Sequence, residues 1–570
     1  MPRTTRRRQR SASPRPPPRD ADGALPLTFP CDGFVVQIAD PDPVRATHLV
    51  RRALRDAVGT DAGWSVRPIG PGSRDVDLTP PPSLQPRTPG DAFQVARRLE
   101  RTKGVEAAEP SFVGPGLAPP PERAAALGFG GEEDADPDPD PEWHLARVRA
   151  REAWAELGGA PPGEGILVGH PDTGYTVHPE IWNPNDPHVR PELGYDCLEG
   201  DSDPLDDLRA GPLQSPGHGT STASVIMSAP GGGRAGQKSV TGVAPGARLA
   251  PFRVSRSVVH LSMRNVTRAI TLAAARRCRV VSMSLGGPLL SPALHRAVKD
   301  AVERGAILLA AAGNVWPWVV YPAAFDEVIA VAASDRRDRV WDLSATGPAV
   351  DVTAPGAGVW VADASVDSGY EVRASSGTSF AVATTAGVAA LWLAKHGTDA
   401  LAGRLGGEGQ LAAAFRRIVM ATARAPAGWK PDRWGAGIVD ALAVLRADVA
   451  APARARFAAA VSRRPRGPKL PSPWAHYFPD LAPEAVADAL GGMVRARLAS
   501  PEADPSGLGA ELAVHLAADP ALRAAVSRAA RGGPANRRAR AVASRAKGGA
   551  LPSTLLAAAS AELRAALGEG

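Results

Sequence analysis

The chain has 570 residues, 44% of them hydrophobic, which is long enough for more than one domain and apolar enough for a real core. The formal charge of +7 belongs to the ends: residues 1–20 carry seven Arg and one Asp, residues 451–570 carry 17 Lys or Arg against nine Asp or Glu, and residues 21–450 are left with −7. Three cysteines without close spacing (Cys31, Cys197, Cys278) exclude a disulfide framework and a cysteine metal site, and no apolar stretch follows the N-terminal arginines to make a signal or membrane span.

In chain order, residues 1–27 are rich in Arg and Pro and read as a disordered basic tail. Residues 28–115 read as a small α+β unit. In it, Phe34–Ile38 alternates as a strand, Pro43–Val58 and Asp91–Lys103 read as helices, and Val105–Phe112 follows Gly104 as a strand. Residues 116–141 are an acidic, Pro-rich linker in which Asp134–Asp140 alternates acid with proline, a natural site for proteolytic processing. Trp143–Val148 and then Ala150–Leu157 follow the linker. Gly165–Gly169 is a short apolar strand that runs into Pro171-Asp172-Thr173-Gly174 and puts Asp172 at a strand's C-terminal edge, where open α/β sheets bind ligands.

Gly217-His218-Gly219-Thr220 opens a helix, with glycines leaving His218 room at its mouth. Ser262–Cys278 is an apolar-striped helix and Arg279–Leu285 a strand. Ser291-Pro292 starts the next helix, which Gly305 closes, and Ala306–Ala312 is a buried strand leading to Gly313-Asn314. Ser375-Ser376-Gly377-Thr378-Ser379 turns into a long apolar helix ending at Gly397. A hydroxyl at such a helix start lies beside unpaired N–H groups that favour negative charge. Nucleophilic catalysis needs a base to activate that hydroxyl and a third group to orient the base. Asp172, His218 and Ser379 supply the set, each at the lip of a regular element.

Here residues 141–447 resemble the subtilisin-like serine proteases. The order Asp172…His218…Ser379, the block Gly217–Thr220, Ala311-Ala312-Gly313-Asn314 and Ser282–Pro288 carry the resemblance. It implies an α/β fold of three layers around a mostly parallel sheet in residues 142–447, preceded by an α+β prodomain and followed by a helical Ala/Arg-rich extension, 448–570. It implies His218 as general base, Asp172 as its orienting partner, Ser379 as nucleophile and Asn314 as an oxyanion donor. Ser284, Leu285 and Gly286 become the edge that pairs with an extended substrate, and Val320, before Tyr321-Pro322, becomes the floor of a shortened primary pocket. The small domain before the enzyme becomes an inhibitory propeptide acting in cis, with cleavage between about Phe112 and Trp143. Protein or peptide substrates follow.

Two departures stand out. Ala383 occupies a position where most of the family has proline, and Pro171 removes a backbone donor just before Asp172. No cofactor is required. Calcium is admitted at the acidic cluster Asp196, Glu199, Asp201, Asp203, Asp206 and Asp207, which serves equally as a solvated loop or a clamp for basic substrates. His170 is expected to pack at its strand end, and Trp316-Pro317-Trp318 either walls the site or is a covered loop. The basic ends read as solvated tails, since no aromatic residues interleave with the N-terminal arginines. Two other readings stay open: a silent peptide-binding protein of the same fold, and a nucleic-acid-associated protease targeted by those tails. The expected location is cytoplasmic, or secreted if the start lies elsewhere. No membrane association is expected.

Overall fold

The computed structural model describes residues 31–112 and 138–449 (apart from 186–187, 212–213, 232–237, 260–261 and 366–368), and then 477–478, 481, 485–486, 489 and 509–531 apart from 519. The expectations for the tail 1–27, for residues 28–30 and 113–115 of the small α+β unit, for residues 116–137 of the linker and for most of the extension 448–570 lie outside the described residues.

The N-terminal part alternates strand and helix: β1 (Cys31–Ile38), α1 (Pro43–Val58), β2 (Ser65–Pro68), β3 (Asp75–Thr79), α2 (Pro89–Glu100) and β4 (Val105–Phe112). The strands form an antiparallel sheet in the order β2-β3-β1-β4. Asp42 caps α1 by accepting the Arg45 N–H, and Gly59 ends it at φ 80°. Helix α2 begins two residues before the expected Asp91, because Thr88 accepts the Asp91 N–H and Pro89 takes the first helical position. The strand β3 escaped the sequence reading: its alternation is carried by Asp75 and Asp77, charges that are buried here.

The larger part contains, in order, α3 (Trp143–Arg147), α4 (Ala150–Ala155), β5 (Leu167–Asp172), β6 (Tyr195–Asp196), α5 (His218–Met227), β7 (Arg248–Arg253), α6 (Arg264–Ala275), β8 (Val280–Met283), α7 (Pro292–Glu303), β9 (Ile307–Ala311), β10 (Ile329–Ser334), β11 (Val352–Pro355), β12 (Val359–Ser365), β13 (Gly369–Ser375), α8 (Thr378–His396), α9 (Thr398–Leu405), α10 (Leu411–Thr422), α11 (Pro431–Trp434) and α12 (Ala441–Arg446). Seven strands form one parallel sheet in the order β11-β10-β9-β8-β5-β7-β6. Strand order reverses between β5 and β8, so a crevice opens at their C-terminal ends.

Successive strand residues serve two cores. Ile307, Leu309 and Ala311 pack with α5, α8, α10 and α12, whereas Leu308 and Ala310 pack with α6 and α7. That is the three-layer arrangement. Helix α8 lies in the interior, buried from Thr378 through Leu393, which is why its sequence is apolar all round. Each fully buried aliphatic side chain there contributes roughly 1.5–3 kcal/mol. Ala383 is helical and fully buried, so α8 needs no proline there.

Strand β5 lies further along the chain than Gly165–Gly169 and includes Pro171. Beyond Gly169 it pairs with β7 alone, so a missing N–H is tolerated on the other side. The three cysteines are free and buried, and burial pushes each thiol up to about 12. Among the described residues no helix is long and apolar enough to cross a membrane.

The four-stranded sheet of the N-terminal part lies against α6 and α7. Asp77 receives Arg264 (2.5 Å) and Arg268 (3.3 Å), and Asp75 receives Arg296 (2.5 Å). Glu109 accepts the Ala293 N–H (2.9 Å) in the first turn of α7, and Ser111 bonds Ser262 side chain to side chain (2.7 Å). Charge pairs with arginine forks set this docking in register.

Candidate active site

Asp172 ends β5, Asn314 follows β9, Ser284 follows β8, and His218 and Ser379 stand in the first turns of α5 and α8, so all five meet over one edge of the parallel sheet. The approach of α5 to β5 depends on Gly219, where a Cβ would lie 2.0 Å from the Gly174 carbonyl oxygen. Gly217 adopts φ 73° to swing the chain into the helix.

Asp172 is buried and His218 nearly so. The imidazole Nδ1 and the carboxylate Oδ1 are 2.7 Å apart, while Oδ1 also accepts the Thr173 N–H (2.8 Å). Burial by itself would raise the Asp172 carboxyl. The facing His218, through charge and hydrogen bond, and the Thr173 N–H outweigh it and hold the group below its ordinary value. A carboxylate kept ionised at Nδ1 fixes the tautomer with Nε2 facing the cleft. On the far side of Asp172, Thr222 Oγ1 lies 3.4 Å from Oδ2, and His170 Nε2 lies 3.0 Å from that hydroxyl and 3.8 Å from Oδ2. Burial holds His170 below its usual pKa, with Asp172 opposing. His170 therefore packs at the strand end as expected, and also touches the Asp172 environment through Thr222. The sequence signal for Thr222 was its place four residues after His218, one turn along the same helix face.

Ser379 is buried. Its hydroxyl donates to the Ser284 carbonyl (3.3 Å), and the Ser284 hydroxyl donates to the Ser379 carbonyl (3.0 Å). In this structure the Ser379 hydroxyl is thus parked on Ser284 rather than bonded to His218. The next residue, Phe380, has its ring 6.4 Å from the imidazole centroid, so His218 and the start of α8 are neighbours. A rotation about the Ser379 Cα–Cβ bond is the motion that carries the hydroxyl from one acceptor to another, and such bonds commonly tighten only when substrate is present.

The Asn314 amide is oriented by chemistry. Its Oδ1 accepts from the Thr378 N–H (3.0 Å) and the Thr378 hydroxyl (2.6 Å), and the backbone N–H can only donate. Nδ2 therefore points away from Thr378, and it lies 3.4 Å from the place a Cβ on Gly377 would take. The amide presents N–H groups beside the turn that leads into Ser379. Thr378, which locks this orientation, was not singled out in the sequence.

Two of the expected features have partners within the chain. The edge Ser284-Leu285-Gly286 was to be open for substrate, but the Gly286 N–H donates to the Val258 carbonyl (3.1 Å) and Gly287 pairs with Tyr321. An unpaired edge N–H finds a partner in its own chain. The acidic cluster is also used otherwise. Asp196 and Asp207 pair with Arg253 (2.7 and 2.9 Å), while Glu199 and Asp207 pair with Arg256 (2.9 and 2.7 Å). Asp206 accepts from Thr173 Oγ1 (2.7 Å) and the Gly217 N–H (2.9 Å), tying the Asp172 loop to the His218 loop. Arg253 and Arg256 neutralise Asp196, Glu199 and Asp207, while Asp201 and Asp203 accept the N–H groups of Asp203 and Leu205 in their own loop, and no group of three or more His, Cys, Asp or Glu converges on a metal position among the described residues. Three of the six carboxylates are thus engaged by arginine.

Val320 is buried. Its Cγ2 lies 2.4 Å from where a Cβ on Gly286 would be and 3.2 Å from where one on Gly313 would be, so it fills the wedge between the two backbone segments. Trp316 and Trp318 are buried, which decides for a covered loop.

The model of the subtilase family (Peptidase_S8) matches residues 163–439. The chain is 32% identical to thermitase of Thermoactinomyces vulgaris over 256 residues, 45% of this chain and 82% of that protein. It is 30% identical to subtilisin Savinase of Lederbergia lenta over 250 residues, 44% of this chain and 82% of that protein. Among solved structures it is similar in fold to fervidolysin from Fervidobacterium pennivorans, a keratinolytic enzyme related to subtilisin, with TM-score 0.53 and 21% identity over 76% of this chain and 62% of that one.

Proposed function

We propose, from the premise that this chain belongs to the subtilase family of serine proteases and is a subtilisin-like serine endopeptidase, that Ser379 is its nucleophile, His218 its general base, Asp172 the group that orients the base, and Asn314 an oxyanion donor. The observation that carries this is the 2.7 Å bond between His218 Nδ1 and a buried Asp172, with Ser379 and the Asn314 amide brought to the same helix start. His218 takes the proton as the Ser379 Oγ attacks the peptide carbonyl, then gives it to the leaving amine; water repeats the sequence to release the acyl group. The tetrahedral oxyanion is held by the Asn314 amide N–H and the Ser379 backbone N–H.

Substrate lies extended between Val258 and Gly286, and Val320 limits the residue before the cut to small or medium apolar side chains. The N-terminal α+β domain, residues 28–115, acts as a propeptide in cis, and the chain cleaves itself between about Phe112 and Trp143. Docking of that domain on α6 and α7 through Asp75, Asp77 and Glu109 supports this role. Expression of the unaltered chain beside Ser379→Ala tests it. Native processing and peptide hydrolysis, both lost in the variant, are expected; processing that persists in the variant would overturn self-cleavage, and hydrolysis that persists would overturn Ser379 as the nucleophile.

A further inference from the structure

The C-terminal segment carries no chemical motif, yet it is built into the molecule at two places. Tyr477 and Phe478 are buried. The Tyr477 hydroxyl donates to the Pro288 carbonyl (2.8 Å), and its ring stands edge-on to Trp318 at 5.5 Å. The Arg523 guanidinium lies 5.3 Å from the same indole and also donates to the Leu516 and Ala517 carbonyls (2.5 and 2.7 Å). Pro288 is two residues beyond Gly286 and Trp318 two before Val320, so both sides of the pocket floor are gripped from outside.

The second place is the N-terminal domain. Helix α13 (Gly509–Ala518), followed by α14 (Pro520–Arg531), packs along α2. The Glu511 side chain is fully buried and bonds Arg97 of α2 (2.7 Å). Ala510 and Val514, with Phe93 and Phe112 of the N-terminal domain and Leu289 of the protease, line one cavity of about 230 Å³. A single apolar cluster takes in Phe34, Phe112, Trp318, Val320, Tyr477 and Leu516. A tail that merely covered the surface would leave its carboxylate in water. A carboxylate taken out of water is tolerated when a partner meets it, and such a pair sets register between the parts it joins.

We propose that Tyr477 and Phe478 together with helices α13 and α14 form a clasp that fastens the N-terminal domain to the protease and braces the rim of the specificity pocket. Its partner is the chain's own N-terminal domain, and the two leave together: departure of α2 exposes Glu511 and the apolar face of α13, while opening of the clasp uncovers Phe93 and Phe112. The regulatory meaning rests on the reading of that domain as a propeptide; the clasp itself rests on the contacts.

Hydrogen exchange on the full-length Ser379→Ala chain tests the clasp without needing catalysis. Adding Glu511→Ala speeds exchange in Pro89–Glu100 and Val105–Phe112 by roughly tenfold or more while Ile307–Ala311 and Ile329–Ser334 keep their protection, because opening is local. The exchanged pair Arg97→Glu with Glu511→Arg restores protection. Unchanged exchange in 89–112, or no recovery in the exchanged pair, would overturn the clasp. Should Glu511→Ala loosen the central sheet as well, Tyr477→Phe decides: it removes one hydroxyl, and faster exchange in 89–112 supports the clasp while none refutes it. Absence of hydrolysis by the chain that keeps Ser379 would instead strike the proposed chemistry.

Discussion

Replacing Val320 by glycine should open the specificity pocket. The valine methyls occupy the space between Gly286 and Gly313, 2.4 and 3.2 Å from positions where those residues would carry a Cβ. Removing the side chain takes three carbons out of that wedge. One methylene in an apolar pocket is worth about 1–3 kcal/mol of discrimination, a factor of roughly 10–200. The ratio of kcat/KM for Phe over Ala before the cut should therefore rise by at least about tenfold, with Val320→Ala in between. The substitution also removes a buried side chain at a cost of about 2–4 kcal/mol, so thermal unfolding must be followed alongside. The assay is hydrolysis of a peptide series that differs at that one residue. An unchanged Phe/Ala ratio in a variant that stays folded would show that the pocket floor lies elsewhere.

Asn314→Ala should lower kcat by about 10²–10³, the loss a subtilisin suffers on losing its oxyanion amide, with KM within a few-fold; steady-state kinetics at saturating peptide checks it. Burial pushes the Glu109 carboxyl at the domain interface up to about 7, against the side-chain hydrogen bond from Ser291, the Ala293 N–H and Arg296, and with Asp75 adding to the rise. A raised acid favours the protonated form in the docked state, so the contribution of Glu109 to docking is fully present below pH 4.5 and is lost as pH climbs to about 7. Calorimetry of full-length Ser379→Ala across that window should show it, and Glu109→Gln should flatten the dependence. Arg416 bonds the fully buried Asp351 (2.6 Å), whose second oxygen accepts the Ala330 N–H (2.9 Å). Arg416→Ala strands that carboxylate and should cost about 3–5 kcal/mol, read as a lower denaturant midpoint. An unaltered midpoint would mean that water or another group takes over.

Much of the site was legible because it rests on local chemistry. A strand ending in Asp172, a glycine-flanked His218 at a helix mouth and Ser379 at the start of an apolar helix are each readable from neighbours in the chain, and their order narrows the choice to one family. The fold followed from the alternation of apolar strands and striped helices. Strand β3 escaped because Asp75 and Asp77 alternate with apolar residues yet meet arginines 187 to 221 residues away.

The sequence alone determined which residue types stand at the C-terminal edge of the sheet and that a parallel α/β sheet carries them, since turn chemistry and hydrophobic period act within a few residues. The tertiary structure decided what depends on distant partners. It paired Asp196, Glu199 and Asp207 with Arg253 and Arg256, paired Gly286 with Val258, set Thr378 to aim the Asn314 amide, and seated Tyr477 and Glu511 on two other parts of the chain. A charge or an unpaired N–H in a sequence announces that it needs a partner, but which partner reaches it is settled by the packing of the whole.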